Sequence, residues 1–191
     1  MNHKPKILCF AGSLRKDSFN KKVAQIAKEG AEKAGATVTY IDLLDYELPL
    51  YNGDLEAASG IPENAMKLKA LFMEHDGLLI SLPEYNSGMS AVFKNCIDWV
   101  SRPAPGEKVF LCCFIDKVVA LLSASLGELG GSRNLPQVRL MFQNIGSIVL
   151  PKQKCIGKAD QVFKSGSPSP EVRKEIEEIG AQLTNFLKRL S

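Results

Sequence analysis

Short apolar runs alternate along the chain with longer segments in which apolar residues recur at helical spacing. The runs predict strands at 6–10, 37–42, 77–82, 117–123 and 147–150, and the longer segments predict helices at 21–34, 63–75, 89–100, 134–144 and 170–190. Continuous apolar strands are typical of a parallel sheet that helices cover on both faces. The pattern therefore predicts an α/β, doubly wound fold: a five-stranded parallel sheet of strand order 2-1-3-4-5 with helices on both faces, in one domain over residues 1–191.

Two stretches interrupt this regular alternation. Residues 43–62 form a long polar connection, and loops of that length inside a compact domain are usually functional or mobile. Residues 109–115 are unusually apolar and rich in cysteine for a connector. An extra edge strand, a subunit contact or a replacement of the usual connector would each account for this second stretch.

The turn between the first strand and the first helix has the composition of an anion site. Gly12 allows a tight turn, Ser13 and Ser18 offer hydroxyl donors, Arg15 offers a charged fork, and Asn20 can cap the helix or donate to a ligand. The turn lacks the Gly-Lys-Ser/Thr of a Walker loop and the three spaced glycines of a dinucleotide fingerprint. It therefore suits a monophosphate, and the alternative is an ordinary capped turn.

A second polar loop, residues 81–88, follows the third strand. Loops at the carboxyl ends of strands meet where the strand order of a doubly wound sheet reverses, so both loops can face one ligand. Together, Gly-Ser-Leu-Arg-x-x-Ser-x-Asn at 12–20 and Pro-Glu-Tyr-Asn-x-Gly at 83–88 resemble the NADPH-dependent FMN reductase family, which includes flavodoxin-like quinone, chromate and azo-dye reductases. The resemblance continues through residues 122–125 and 130–133.

The resemblance implies that the chain binds FMN and takes electrons from NADPH or NADH. The cofactor-binding residues that it implies are Ser13, Arg15, Ser18, Asn20, Pro83, Glu84, Tyr85, Asn86, Ser87, Gly88 and Ser123. The first four fall at the phosphate, the loop 83–88 at the isoalloxazine and Ser123 at the ribityl side. Glu84 is expected to form structural hydrogen bonds rather than to act as a catalytic carboxylate. Because the flavin carries the chemistry, no catalytic side chain is assigned.

Two classes of function remain open at this point. The first is an FMN-dependent NAD(P)H oxidoreductase that passes two electrons to quinones, azo compounds, metal oxyanions or free flavin. The alternative is a flavodoxin-like electron carrier or a redox-sensing interaction module. Flavodoxins that act as carriers are markedly acidic as a family, whereas this chain has a formal net charge of +3. The charge favours the enzyme and gives little support to nucleic-acid binding.

Composition sets the remaining expectations. No apolar run approaches the length of a membrane span. The five cysteines are odd in number and irregularly spaced, which does not suggest a disulfide framework. We therefore expect a cytoplasmic protein whose thiols are reduced. His3 and His75 fit neither a catalytic triad nor a zinc site, and no metal is expected. The expected partners are a small-molecule electron acceptor and further copies of the chain, in a homodimer or homotetramer, with no nucleic acid and no membrane.

Overall fold

The computed structural model describes residues 4–190, and His3 lies outside them. The strands are β1 (Lys6–Ala11), β2 (Thr37–Asp42), β3 (Gly77–Leu82), β4 (Val118–Ala124), β5 (Ile148–Val149) and β6 (Lys154–Ile156). All pairings among them are parallel, and the order β2-β1-β3-β4-β5 confirms the prediction. The additional strand β6 pairs with the carboxyl half of β4, beyond the end of β5.

The helices cover both faces of this sheet. They are α1 (Phe19–Lys33), α2 (Gly53–Ser59), α3 (Glu63–Glu74), α4 (Ala91–Val100), α5 (Asn134–Asn144), α6 (Ala159–Val162) and α7 (Pro170–Leu190). One apolar cluster joins α1 and α7 to the sheet, and a second joins α3, α4 and α5 to the opposite face. No helix in residues 4–190 is both long enough and apolar enough to cross a membrane.

The three central strands explain why the apolar runs are continuous. Every residue of β3 and β4 is buried, and so is every residue of β1 after Lys6. Neighbouring side chains enter opposite clusters: Cys9 packs with α1 and α7, whereas Phe10 packs with the helices of the other face. The carboxyl ends of these strands are therefore fixed from both sides.

The polar connection 43–62 is not the plain loop that was predicted. It contains a 3-10 turn at Leu43–Asp45 and the helix α2, none of whose residues is buried. Short polar side chains begin both elements, since the Oδ1 atoms of Asp42 and Asn52 accept the backbone N–H groups of Leu44 and Asp54. A helix without a buried face leaves no apolar stripe in the sequence, so the pattern does not reveal it.

Two more elements differ from the prediction. The last strand was expected at 147–150 but covers only Ile148–Val149, and Pro151, which has no N–H to donate, separates it from β6. Residues 109–115 form turns rather than an edge strand. Cys113 and Phe114 are buried there, whereas Phe110 is exposed. The apolar residues of this stretch thus divide between the core and the surface.

Candidate functional site

A cleft of about 250 Å³ opens at the carboxyl ends of β1, β3 and β4. It is formed by the two polar loops predicted from the sequence, by the first turn of α1 and by the loop after β4. Its lining residues are Ser13, Arg15, Ser18, Phe19, Asn20, Pro83, Glu84, Tyr85, Ala124, Ser125 and Leu126. Seven of the eleven residues proposed from the sequence therefore line one cavity, and the other four are Asn86, Ser87, Gly88 and Ser123.

The loop after β1 places hydroxyl groups and a cation at the start of α1. Ser13 and Ser18 are buried, and Arg15 is exposed. Ser18 is the N-cap residue of α1, yet its side chain makes no capping hydrogen bond, which leaves the hydroxyl available to a ligand. A Cβ on Gly12 would lie 2.5 Å from Cδ2 of the buried Leu82 and 3.0 Å from Cβ of Phe93, so the close packing at this position favours glycine. Hydroxyls, a guanidinium and the positive end of a helix are the groups from which proteins build anion sites.

Asn20 serves the protein's own backbone rather than capping the helix. Its Nδ2 donates to the carbonyl of Ala124 at 2.9 Å, and its Oδ1 accepts the N–H of Ala124 at 2.9 Å and the hydroxyl of Ser81 at 2.8 Å. Both partners stand at the carboxyl ends of strands, Ser81 in β3 and Ala124 in β4. Asn20 thus fixes three sides of the cleft relative to one another, and its oxygen is used by the protein.

The loop after β3 is a small hairpin. Glu84–Tyr85 pairs antiparallel with Gly88–Met89, and the connecting residues Asn86 and Ser87 have φ values of 50° and 64°. Two consecutive residues in the left-handed region are typical of the tight turn that joins twisted strands. Asn86, Ser87 and Gly88 therefore shape the hairpin, and the lining of the cleft comes from its first strand.

Glu84 forms hydrogen bonds within the protein, of the kind expected from the sequence. Its Oε2 accepts the backbone N–H groups of Arg133 and Asn134, both at 3.0 Å, at the start of α5. Asn134 in turn donates through Nδ2 to the carbonyl of Pro83 at 3.0 Å, and Gln137 donates to the carbonyl of Ser87 at 2.6 Å. These bonds hold the hairpin against α5 and use the Glu84 carboxylate to cap that helix.

Ser123 does not line the cleft, contrary to its expected place at the ribityl side. It is fully buried, and its hydroxyl donates to the carbonyl of Leu82 at 2.6 Å. Gly131 packs directly on it, since a Cβ on Gly131 would lie 1.8 Å from the Ser123 oxygen. Ser123 supports the wall from behind, while the next two residues of the chain, Ala124 and Ser125, reach the cavity.

Sequence reasoning missed the segment that supports the loop after β4. Residues 156–159 make three backbone hydrogen bonds to residues 125–127: Ser125 N–H to Ile156 O at 3.1 Å, Lys158 N–H to Gly127 O at 3.2 Å and Ala159 N–H to Ser125 O at 3.1 Å. A Cβ on Gly157 would lie only 2.1 Å from the carbonyl oxygen of Glu128. A glycine is therefore needed at position 157 for the two backbones to touch.

The same segment also contacts the opposite wall. Phe163, just after α6, stacks on Phe19 of the cleft with 5.8 Å between ring centroids, and the Lys22 ammonium lies 5.5 Å from the Phe19 centroid. Both walls thus rest on residues 154–163. The only sequence signal for this support is the unassigned apolar pair Cys155 and Ile156 before a glycine, which is too short to indicate a strand.

The charges of the cleft suit binding better than proton transfer. Its ionisable lining residues are Arg15, Glu84 and Tyr85, and the Glu84 carboxylate is used by α5. Burial, with a smaller contribution from Glu84, raises the pKa of the nearby Cys155 thiol and keeps it protonated. Within residues 4–190 no group of three or more His, Cys, Asp or Glu side chains is arranged to hold a metal ion. The arrangement therefore offers hydrogen-bond donors and a positive charge for an anion.

Comparisons with known proteins identify the family. The family model described as NADPH-dependent FMN reductase matches residues 5–161. A protein of Oryza sativa subsp. japonica named probable NADPH:quinone oxidoreductase 2 is 31% identical over 97% of this chain and 90% of its own length. A quinone reductase of Escherichia coli (strain K12) is 30% identical over 82% of this chain and 79% of its own.

Solved structures agree on the fold. FerB, a flavoenzyme NAD(P)H:(acceptor) oxidoreductase from Paracoccus denitrificans, is 26% identical with a TM-score of 0.78, and the match covers 97% of this chain and 98% of FerB. A flavodoxin from the domain Archaea is 13% identical with a TM-score of 0.61, over 96% of this chain and 99% of its own. The second likeness shows that the fold is flavodoxin-like.

Proposed function

The chain belongs to the NADPH-dependent FMN reductase family, and on that basis we propose that it uses FMN to pass two electrons from NADPH or NADH to a small-molecule acceptor. Quinones are the first class of acceptor to consider, because two relatives are named as a quinone oxidoreductase and a quinone reductase. Azo compounds, metal oxyanions and free flavin are the other classes. The observation that carries the proposal is the convergence, in one cleft, of an anion-binding helix start and a rigid hairpin.

The phosphate end of the cleft fits FMN. Ser13 and Ser18 would hold phosphate oxygens through their hydroxyls, and Arg15 would add a charge-assisted bond at the rim. This loop has room and donors for one phosphate, in keeping with the absence of a pyrophosphate fingerprint. Asn20 supports the site by fixing the loops around it.

The hairpin end fits a flat ring. Pro83, Glu84 and Tyr85 line this side, and their backbone is held by α5, so polar backbone groups would face a bound ring without rearrangement. When bound, FMN supplies the ability to accept a hydride and to give up electrons in pairs. The contribution of the protein is to bind and orient, and to keep the hairpin dipoles fixed.

We also propose that the protein works as a homodimer or homotetramer in the cytoplasm, with the whole activity in one domain. Exposed apolar side chains such as Leu50, Val109 and Phe110 support association of copies. All five cysteines are free thiols, as expected of a reducing compartment. Two apolar clusters on the two faces of a single sheet support one domain.

The test is whether the protein turns over without a protein partner. Purified protein is loaded with FMN, freed of excess by gel filtration and mixed anaerobically with NADPH or NADH in a stopped-flow instrument while the visible flavin absorbance is recorded. We expect rapid bleaching, followed by recovery of the absorbance when benzoquinone is added. If neither nucleotide bleaches the flavin, the electron-carrier alternative replaces the enzyme.

A further inference from the structure

The mouth of the cleft is formed by the lining residues that remain in contact with water. Most of the lining is buried or half-buried, and its exposed members are Arg15, Tyr85 and Leu126. Tyr85 is 52% exposed and Leu126 is 62% exposed, so two large side chains hold apolar surface in water at the opening. We call Tyr85 and Leu126 the apolar rim.

The topology of the sheet places the charge and the apolar rim at different ends of the mouth. Arg15 follows β1, Tyr85 follows β3 and Leu126 follows β4, and these strands are neighbours in that order. The ends of β1 and β4 are therefore two strand spacings apart, about 10 Å. The cation Arg133, at the start of α5, is not a lining residue. The β4 end of the mouth is thus apolar.

The exposure of Leu126 is not due to a loose loop. On one side of it, the N–H of Ser125 donates to the carbonyl of Ile156 at 3.1 Å. On the other side, the carbonyl of Gly127 accepts the N–H of Lys158 at 3.2 Å. The backbone therefore holds Leu126 at the mouth. A fixed apolar side chain favours an apolar ligand, because contact removes both surfaces from water at little cost in conformational freedom.

The size of the cleft places a second reactant at this mouth. Its volume is about 250 Å³, whereas sites that enclose one drug-sized ligand measure about 300–1,000 Å³. The cleft therefore cannot enclose FMN together with an acceptor. With the phosphate at Arg15, the ring of FMN would lie toward β3 and β4, and an acceptor that stacks on it would contact the apolar rim. Arg15 would then be paired with the phosphate, and no other cation lines the cleft.

We propose that Leu126, with Tyr85 beside it, makes the protein select uncharged planar acceptors over anionic ones. The inference rests on the proposed function, because it names the class of acceptor that the same site prefers. An uncharged quinone gains apolar contact at the rim. A sulfonated quinone or a metal oxyanion would lose hydration there without gaining a partner for its charge.

The experiment measures binding without turnover. Oxidised, FMN-loaded protein is titrated with naphthoquinone and with naphthoquinone sulfonate in the absence of NADPH and NADH. The change in visible flavin absorbance gives the two dissociation constants. Because no electron donor is present, their ratio is independent of the reduction potentials of the two quinones. For the wild-type protein we expect naphthoquinone to bind at least about tenfold more tightly.

Leu126→Arg places a cation on the rim. We expect it to tighten binding of the sulfonate and weaken binding of naphthoquinone, which lowers the preference at least about tenfold. Leu129→Arg is the matched control, because Leu129 lies in the same loop and is 51% exposed but does not line the cleft. At physiological salt, which screens charges more than about 8 Å apart, this control should stay within about twofold of wild type.

Leu126→Gln adds a polar side chain without a charge. It should weaken binding of naphthoquinone and leave the sulfonate no more tightly bound than in wild type, because it supplies no cation. All three substitutions are at exposed positions, and the absorbance signal comes only from protein that holds FMN. A misfolded variant therefore cannot imitate a change in preference.

The outcomes separate the inference from the proposed function. Steady-state turnover with NADPH or NADH is measured for both quinones, and turnover of neither would overturn the proposed function itself. Turnover with an unchanged binding preference in Leu126→Arg, or with an equal change in Leu129→Arg, would overturn the inference alone. Sedimentation tests one more occupant: if Leu126→Arg dissociates an oligomer and Leu129→Arg does not, a second copy of the chain covers Leu126 and the inference is wrong.

Discussion

Asn20 and Ala124, which lie far apart in the sequence, are joined by two hydrogen bonds of 2.9 Å that run in opposite directions between the amide of one and the backbone of the other. With the bond from Ser81, this contact joins the start of α1 to the ends of β3 and β4. The side chain is buried, so water cannot replace these bonds if the amide is lost. The contact makes Asn20 the structural centre of the cleft.

We therefore expect Asn20→Ala to lower the free energy of unfolding by about 2–4 kcal/mol, because three buried polar groups lose their partner. Urea denaturation of the protein without cofactor measures the effect. Asn185→Ala, at an exposed position of α7, is the control and should stay within about 0.5 kcal/mol of wild type. Equal stability of the two variants would show that the Asn20 network contributes nothing.

Arg15→Ala should weaken FMN binding about ten- to hundredfold, because a charge-assisted bond to phosphate is worth roughly 1.5–3 kcal/mol. Lys16→Ala is the matched control, since Lys16 is an exposed neighbour with no place in the lining. Fluorescence titration of both variants with FMN and with riboflavin gives the dissociation constants. Riboflavin lacks the phosphate, so Arg15→Ala should leave its affinity unchanged. Parallel losses for both ligands would remove Arg15 from the phosphate site.

Gly157→Ala tests the loop after β4, which forms one side of the cleft, instead of the loop proposed to bind phosphate. The new Cβ would meet the carbonyl of Glu128, so the loop after β4 must move away. We expect the dissociation constants of FMN and riboflavin to rise by the same factor, about tenfold. Gly53→Ala is the control, because nothing lies within 4 Å of a Cβ at that position. If the affinity fell for FMN but not for riboflavin, Gly157 would not support the side of the cleft that is proposed to bind the ring.

The fold was largely predictable because its elements carry strong local signals. The bounds of β2, β3, α5 and α7 match the prediction at both ends. β3 is a continuous apolar run, α5 and α7 carry apolar residues at helical spacing, and β2 is rich in β-branched residues. The missed elements lack such signals. Helix α2 buries none of its residues, and β6 is a three-residue strand that exists through its pairing with β4.

The site was predictable only in part, for a related reason. Ser13, Arg15 and Tyr85 follow apolar runs and therefore stand at strand ends, where the topology gathers them. Ser123 is the last but one residue of β4, and its side chain points away from the cleft. Successive side chains of a strand point to opposite faces, so a one-residue difference in register decides which of them reach the cleft. The role of Gly157 depends on contact with Glu128 after folding, and no local pattern encodes it.

Glu84 is the one carboxylate in the lining of the cleft. Its Oε2 accepts two N–H groups at the start of α5, where a negative charge is also favourable. In Glu84→Gln the amide oxygen can still accept both bonds, but the side chain can no longer exchange a proton at neutral pH. The variant therefore separates capping from acid–base chemistry.

We expect Glu84→Gln to keep kcat for NADPH and benzoquinone within about threefold of wild type, whereas loss of a general acid or base costs about 10²–10⁴-fold. Glu84→Ala removes the cap as well, so it should lower the affinity for FMN and riboflavin and reduce stability by about 1 kcal/mol. The measurements are steady-state turnover at saturating FMN and the two titrations. A hundredfold loss of kcat in Glu84→Gln, with FMN affinity intact, would make Glu84 a catalytic residue and overturn the view that this cleft only binds and orients.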